Sequence, residues 1–162
     1  MGFEVIQHHV GQFWGRFWNR GGVEGVEGDF SPNSIALLLS LIYNKCIIVP
    51  LNNSTNSDDE KLFEISQVEH VFSVDNNDKI THKKIATQSE NKFYKIIRSK
   101  THPGLVLFSS GTSGEPKAAV HDFYGLLMKF KERRKALRTL NFLLFDHWGG
   151  LNTMFHILSN GG

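Results

Sequence analysis

Residues 105–121 read Leu-Val-Leu-Phe-Ser-Ser-Gly-Thr-Ser-Gly-Glu-Pro-Lys-Ala-Ala-Val-His, and this stretch restricts the possible folds more than any other. Leu105 to Phe108 is a short apolar run suited to a buried strand. It passes at once into Ser109–Gly114, where nothing can pack and nearly every group can hydrogen-bond. Gly111 and Gly114 permit backbone angles closed to other residues and a close approach to a ligand, so successive N–H groups can line a concave anion site. The hydroxyls of Ser109, Ser110, Thr112 and Ser113 add donors, and Lys117 adds a point charge suited to phosphate oxygens. The common nucleotide loop is excluded by spacing, because it needs four residues between its glycines and Lys directly after the second. Here two residues separate Gly111 from Gly114, and Lys117 comes three later. Pro116–Val120 has the pattern of a returning strand, so the prediction is a hairpin loop over a phosphate. An ordinary Ser/Gly/Thr connection is the competing reading. The Pro-Lys pair after the second glycine and the two framing strands favour the phosphate loop.

The rest of the chain alternates strands and helices. Ile6, Val10, Phe13, Trp14 and Phe17 recur at helical spacing within Val5–Arg20, and Gly21-Gly22 supplies a stop. His8 and His9 are adjacent, point about 100° apart on a helix and cannot share a metal by themselves. Val23–Glu27 suits a strand. Ser31 is a candidate N-cap with Pro32 at the first helical position, followed by a mostly apolar, buried helix over Ser34–Asn44. Ile47–Leu51 has the continuous apolar character of a strand covered on both faces, completing a βαβ unit. A helix over Asp59–Gln67, a strand over His70–Val74 and a turn at Asp75–Asp78 come next, while Lys79–Gln88 is ambiguous. Ser89–Ser99 predicts a helix capped by Ser89 with Phe93, Ile96 and Ile97 facing inward. Beyond the hairpin, Asp122–Leu137 predicts a helix with Phe123, Leu126, Leu127 and Phe130 as its apolar stripe. The cations in its second half, Lys129, Lys131, Arg133, Arg134, Lys135 and Arg138, suit a solvated helix end, with a coenzyme or membrane contact as the alternative. A strand over Thr139–Phe145, with His147 just beyond its end, and a helix over Leu151–Leu158 close the series. The fold class expected is α/β: three layers, a mostly parallel sheet between helices, with a hairpin at the phosphate loop.

Composition narrows the function classes. At 162 residues, 40% hydrophobic and 21% charged, the chain suits one globular domain. A net charge of +2 is too small to indicate a nucleic-acid binder. The single Cys46 precludes an internal disulfide, and its apolar strand setting suits a buried small hydrophobe. Met1–Val10 lacks the apolar core of a secretory leader. The longest apolar run, Ile35–Tyr43, is broken by Ser40 and is shorter than the roughly 20 residues of a membrane span. A cytoplasmic protein is the expectation.

Ser109–Lys117 resembles the phosphate-binding signature of the adenylate-forming superfamily: acyl-CoA synthetases, luciferases and peptide-synthetase adenylation domains. All nine positions fit, as do the preceding strand and His121. The helix over 34–44 with Ile47–Leu51 is also similar to the family's early elements, and Asp146–Gly150 is similar to its stretch near the acyl pocket. The resemblance implies ATP and Mg2+ as cofactors, and formation of an acyl-adenylate and pyrophosphate from a carboxylic acid. Transfer of the acyl group to the thiol of CoA or a carrier protein follows. Ser109, Ser110, Gly111, Thr112, Ser113, Gly114 and Lys117 then hold the β- and γ-phosphates, and His147 lines the acyl pocket.

The family's later elements do not occur in these residues: the adenine-contacting stretch, the Thr-Glu pair linked to magnesium, the ribose-binding Asp, the hinge, and the mobile domain with its catalytic Lys. The resemblance therefore implies that 1–162 is a single partial domain, the N-terminal part of an acid–thiol ligase, with the remainder missing or on a separate chain. By itself such a chain is expected to be inactive and to self-associate through apolar surface left uncovered. The alternative is a degenerate or partner-dependent module without catalysis of its own. An unrelated phosphatase or NTP hydrolase ranks lowest, because clustered carboxylates for a two-metal site and a cysteine after the loop are lacking.

Overall fold

The computed structural model describes residues 20–51, 58–85, 88–110 and 115–161. The helix expected over Val5–Arg20 lies outside them but for its last residue. Six strands form one sheet: β1 (Val23–Glu27), β2 (Ile47–Leu51), β3 (His70–Val74), β4 (Ile80–Lys84), β5 (Gly104–Ser110) and β6 (Pro116–Asp122). Their spatial order is β4-β3-β1-β2-β5-β6. The pairs β1/β2, β1/β3 and β2/β5 are parallel, whereas β3/β4 and β5/β6 are antiparallel. The fold is thus α/β with a mostly parallel sheet, as the alternation of elements predicts.

The helices are α1 (Pro32–Tyr43), α2 (Asp58–Ser66), α3 (Lys92–Ser99), α4 (Phe123–Leu127) and α5 (Trp148–Asn160), with a 3-10 turn at Met128–Phe130. Leu37, Leu38 and Leu41 of α1 join Phe123, Leu151, Met154 and Phe155 over one sheet face, against Val26, Ile48, Phe72 and Leu105. Tyr94 and Ile97 of α3, with Leu62 and Phe63 of α2 at the margin, cover Val23, Val49, Val71 and Val106 on the other. Three layers result because β1 and β2 are covered on both faces, β1 giving Val26 to one core and Val23 to the other. Each fully buried side chain such as Leu38 contributes about 1.5–3 kcal/mol of transfer free energy. Cys46 is fully buried, and burial, reinforced by Glu24, pushes its thiol up to about 12, so it acts as a small hydrophobe.

One open segment is settled and four expectations need correction. The ambiguous segment contains a strand, β4, paired antiparallel with β3 through the Asp75–Asp78 turn. Helix α3 is capped by Asn91, whose side chain accepts from Phe93 N–H. Ser89 instead donates to Glu69 at 2.8 Å and receives Arg98 at 2.6 Å. The inner face of α3 is Tyr94 and Ile97, with Phe93 and Ile96 each half exposed. Two polar anchors set that rotation: the Tyr94 hydroxyl donates to the Ser66 carbonyl at 2.7 Å, and Arg98 Nε to the Gly21 carbonyl at 2.7 Å.

The helix expected over Asp122–Leu137 ends at Leu127, with the 3-10 turn after it. The apolar stripe stops at Phe130, and beyond it Lys129/Arg133, Lys131/Lys135 and Arg134/Arg138 would set like charges four residues apart, which disfavours a helix. Thr139–Phe145 is no strand of the sheet: it has no partner strand among the described residues, it bends at Leu143, and it runs into a turn in which His147 N–H donates to the Leu144 carbonyl.

Candidate functional site

The four mutually parallel strands end at one edge of the sheet, at Glu27, Leu51, Val74 and Ser110. In an open α/β sheet that edge is where ligands collect. The β5–β6 hairpin projects from it. Its register pairs Leu105 with His121, Phe108 with Ala118, Ser109 with Lys117 and Ser110 with Pro116. Ser109 and Lys117 thus stand opposite each other on one face at the hairpin's mouth, both exposed. Gly111, Thr112, Ser113 and Gly114 lie outside the described residues. The strands that deliver the loop are held by Leu105 and Val106, both fully buried. On the return side, Glu115 pairs with Lys61 of α2, tying the foot of the loop to the neighbouring helix. Both groups are about half exposed, so this tie is worth little energy but sets direction.

At the same edge, the N-terminus of α1 is not a vacant anion site. Ser31 caps it with a reciprocal Ser31–Ser34 capping box. The carboxylate of Asp78, in the β3–β4 turn, then accepts from Ser31 Oγ at 2.5 Å and from Asn33 N–H at 3.1 Å. Asn33 Nδ2 donates back to the Asp78 carbonyl at 2.6 Å. Asp78 is thus an internal counter-anion for the helix dipole. The capping by Ser31 and Pro32 is legible in sequence. The part played by Asp78, 45 residues from Asn33, has no local signal.

His147 follows a turn rather than a strand and caps α5: its Nδ1 accepts from Gly149 N–H at 2.9 Å. In the neutral ring the proton therefore sits on Nε2. Phe145 packs edge-on to Phe30, with ring centroids 5.3 Å apart, which brings this stretch to the carboxyl edge of the sheet. Burial raises the carboxyl pKa of the neighbouring Asp146, and Asp29 adds to the shift. Among the described residues no group of three His, Cys, Asp or Glu could hold a metal ion. The described cation at the hairpin mouth is Lys117. A cavity of about 70 Å3 between the 3-10 turn and α5, lined by Lys129, Arg134, Asn152 and His156, is far too small for a nucleotide.

No protein-family model matches the sequence, and no curated protein does. Solved structures do match in fold. One crystal form of the Klebsiella oxytoca NpsA N-terminal subdomain aligns with a TM-score of 0.71 at 15% identity, over 98% of this chain and 45% of that one. The same subdomain in complex with 3-hydroxyanthranilyl-AMSN aligns at 0.63 and 14% identity, over 98% and 42%. E. coli MenE with bound OSB-AMS aligns at 0.63 and 15% identity, over 97% and 37%. The fold is that of the N-terminal subdomain of adenylate-forming enzymes. The chain spans well under half the length of the structures it matches, between 37% and 45% for these three. Among the described residues no helix is long and apolar enough to cross a membrane.

Proposed function

We propose that the chain is the N-terminal part of an ATP-dependent carboxylic acid–thiol ligase, and that its hairpin loop holds the β- and γ-phosphates during acyl-adenylate formation. The observation that carries this reading is the β5–β6 register: it sets Ser109 across from Lys117 at the carboxyl edge of the sheet and brackets residues 111–114 between them. Ser109, Ser110, Gly111, Thr112, Ser113, Gly114 and Lys117 are the phosphate-binding set. The fold adds support, since solved neighbours carry 3-hydroxyanthranilyl-AMSN and OSB-AMS, which are acyl-AMP analogues. In the reaction, an acid carboxylate oxygen attacks the α-phosphorus and the bond from that phosphorus to the bridging oxygen breaks. Pyrophosphate leaves with the negative charge that Lys117 and the loop donors stabilise. A CoA or carrier thiol then attacks the acyl carbon, loses its proton and expels AMP. His147, with Nε2 left available by its capping role, is the candidate for the acyl side.

The reaction also needs groups that hold the acid in line with the α-phosphorus, and that positioning is worth on the order of 7–11 kcal/mol. The described residues offer no dedicated adenine, ribose or Mg2+ site, so the chain by itself binds polyphosphate weakly and makes no adenylate. Pyrophosphate exchange with a panel of fatty and aromatic acids tests this. Exchange is expected only when the remainder of the domain is supplied, on the same or a second chain. Robust acid-dependent exchange by the 162-residue chain alone would show that it is a complete catalyst. A second reading, a partner-dependent module without catalysis, is favoured by one feature: Leu140 and Phe142 are 91% and 86% exposed.

A further inference from the structure

The cavity between the 3-10 turn and α5 is lined by donors and cations that have no acceptor. Asn152, His156 and Asn160 stand four residues apart on one face of α5 and line it, as do Lys129 of the 3-10 turn and Arg134 just beyond. The Asn160 amide is fixed in orientation by two bonds: Oδ1 accepts from Arg134 N–H at 2.5 Å, and Nδ2 donates to the His156 carbonyl at 2.8 Å. Nδ2 also lies 3.5 Å from His156 Nδ1, which must accept from it, so the neutral ring carries its proton on Nε2. That Nε2 is buried and has no hydrogen-bond partner. A buried donor left unpaired is costly, and in native structures a water or an ion commonly completes it.

The two cations are held in place rather than free in solvent. Lys129 Nζ lies 5.0 Å from the centre of the Phe130 ring and 4.8 Å from that of Trp148. The bond from its backbone to Asn160 ties Arg134 to α5. Neither cation has a carboxylate at ion-pair distance among the described residues. Glu132 also borders the cavity but pairs with neither, so cations outnumber carboxylates around it two to one. At about 70 Å3 the space admits five or so heavy atoms, since a water-sized atom needs about 10–15 Å3 of it. Guanidinium and ammonium groups suit the oxygens of such an ion. We propose that this cavity binds one tetrahedral oxyanion of the phosphate or sulfate class, held by Lys129, Arg134 and the Nε2–H of His156. Ser109, Ser110 and Lys117 do not line it, so this site does not rest on the phosphate chemistry of the hairpin.

The test uses the full chain, with inorganic phosphate and sulfate as probes at fixed ionic strength. In a nitrogen–proton correlation spectrum of the imidazoles, the signal absent from His156→Gln should shift as either ion is added. Lys129→Met and Arg134→Gln replace exposed side chains; with thermal melts unchanged, each should weaken phosphate about tenfold or more by calorimetry. Glu132→Gln should tighten it. Pyrophosphate and ATP are too large for the cavity and should leave the His156 signal in place even where they bind the hairpin. Methyl phosphate tells a free ion from the tip of a phosphomonoester: a shift with phosphate alone assigns the first, a shift with both assigns the second, and either supports the site. Chloride moving the His156 signal as far as phosphate does would reduce the effect to charge alone and overturn the proposal. So would phosphate affinity unaltered when Lys129→Met and Arg134→Gln are combined, or a signal that no oxyanion moves, which leaves the cavity to water.

Discussion

Glu24 on β1 places a carboxylate oxygen 3.2 Å from Nδ1 of His70, its direct cross-strand partner on β3, with the Glu24 side chain only 1% exposed. The approach is at ion-pair distance but is not aligned as a hydrogen bond among the described residues. Burial, reinforced by the nearby Glu69 charge, pushes the Glu24 carboxyl up to about 8. Burial also moves His70 down from its ordinary value. At neutral pH both groups are therefore neutral, and the sheet interior carries a protonated carboxyl beside an uncharged imidazole.

Stability should fall as pH rises through this window. The unfolded chain releases the Glu24 proton near the ordinary 4.5, whereas the folded chain keeps it until about 8. The folded state thus holds the extra proton between those values, and its advantage, on the order of a few kcal/mol, is present at low pH and gone above 8. Glu24→Gln is expected to match the parent near pH 4 and exceed it in Tm at pH 8. Parallel curves of Tm against pH for the two proteins would rule out a buried neutral Glu24.

Asp78 sits at φ 61°, where an L side chain is strained, and still bonds the N-terminus of α1. Two effects compete on substitution. Asp78→Gly relieves the backbone but loses the carboxylate, and Asp78→Ala suffers both penalties. Asp78→Asn keeps an acceptor. Urea unfolding should rank the losses Asn, Gly, Ala, with Ala costing about 1–2 kcal/mol or more. An Ala variant as stable as Asn would refute the capping role.

Gly149 and Gly150 let segment 139–145 lie on α5. A Cβ on Gly150 would meet the backbone oxygens of Leu144 at 2.3 Å and Leu143 at 2.8 Å, which cannot yield. One on Gly149 would meet the movable Leu143 Cδ1 at 2.4 Å. Alanine favours a helix by about 1 kcal/mol over glycine. Gly149→Ala is therefore predicted to be near neutral in thermal melts. Gly150→Ala should lose about 1–3 kcal/mol and loosen the anchored segment. A Gly150→Ala protein with an unchanged melt would show that this close approach is not maintained.

Lys117 is expected to matter to phosphate rather than to folding, because it is exposed at the hairpin mouth. Lys117→Ala should leave Tm within a degree or so. Binding of ATP or pyrophosphate, measured calorimetrically at low salt, should weaken about tenfold, or ~1.4 kcal/mol. The loss should shrink as salt is added, since the charge is screened. Unchanged affinity at low salt would remove Lys117 from the phosphate set.

How much of this was legible in the chain follows from the range of the interactions involved. Strands β1, β2 and β3 and the cap of α1 are local, written in apolar runs, Ser31 and Pro32, so the sequence alone determined them. It also determined the β5–β6 hairpin, because the change from Leu105–Phe108 to Ser109–Gly114 and back at Pro116 leaves few other conformations. Elements whose state depends on distant partners were not legible. The rotation of α3 is set by Tyr94 reaching Ser66 and Arg98 reaching Gly21. The second half of the expected 122–137 helix yields to repulsion once its apolar stripe has ended. Residues 139–145 have the apolar pattern of a strand but follow an irregular path with a bend at Leu143, because a strand exists only where another pairs with it. Their inner side is decided by Gly149, Gly150 and Phe30, contacts that form only when the tertiary structure brings α5 and the end of β1 together.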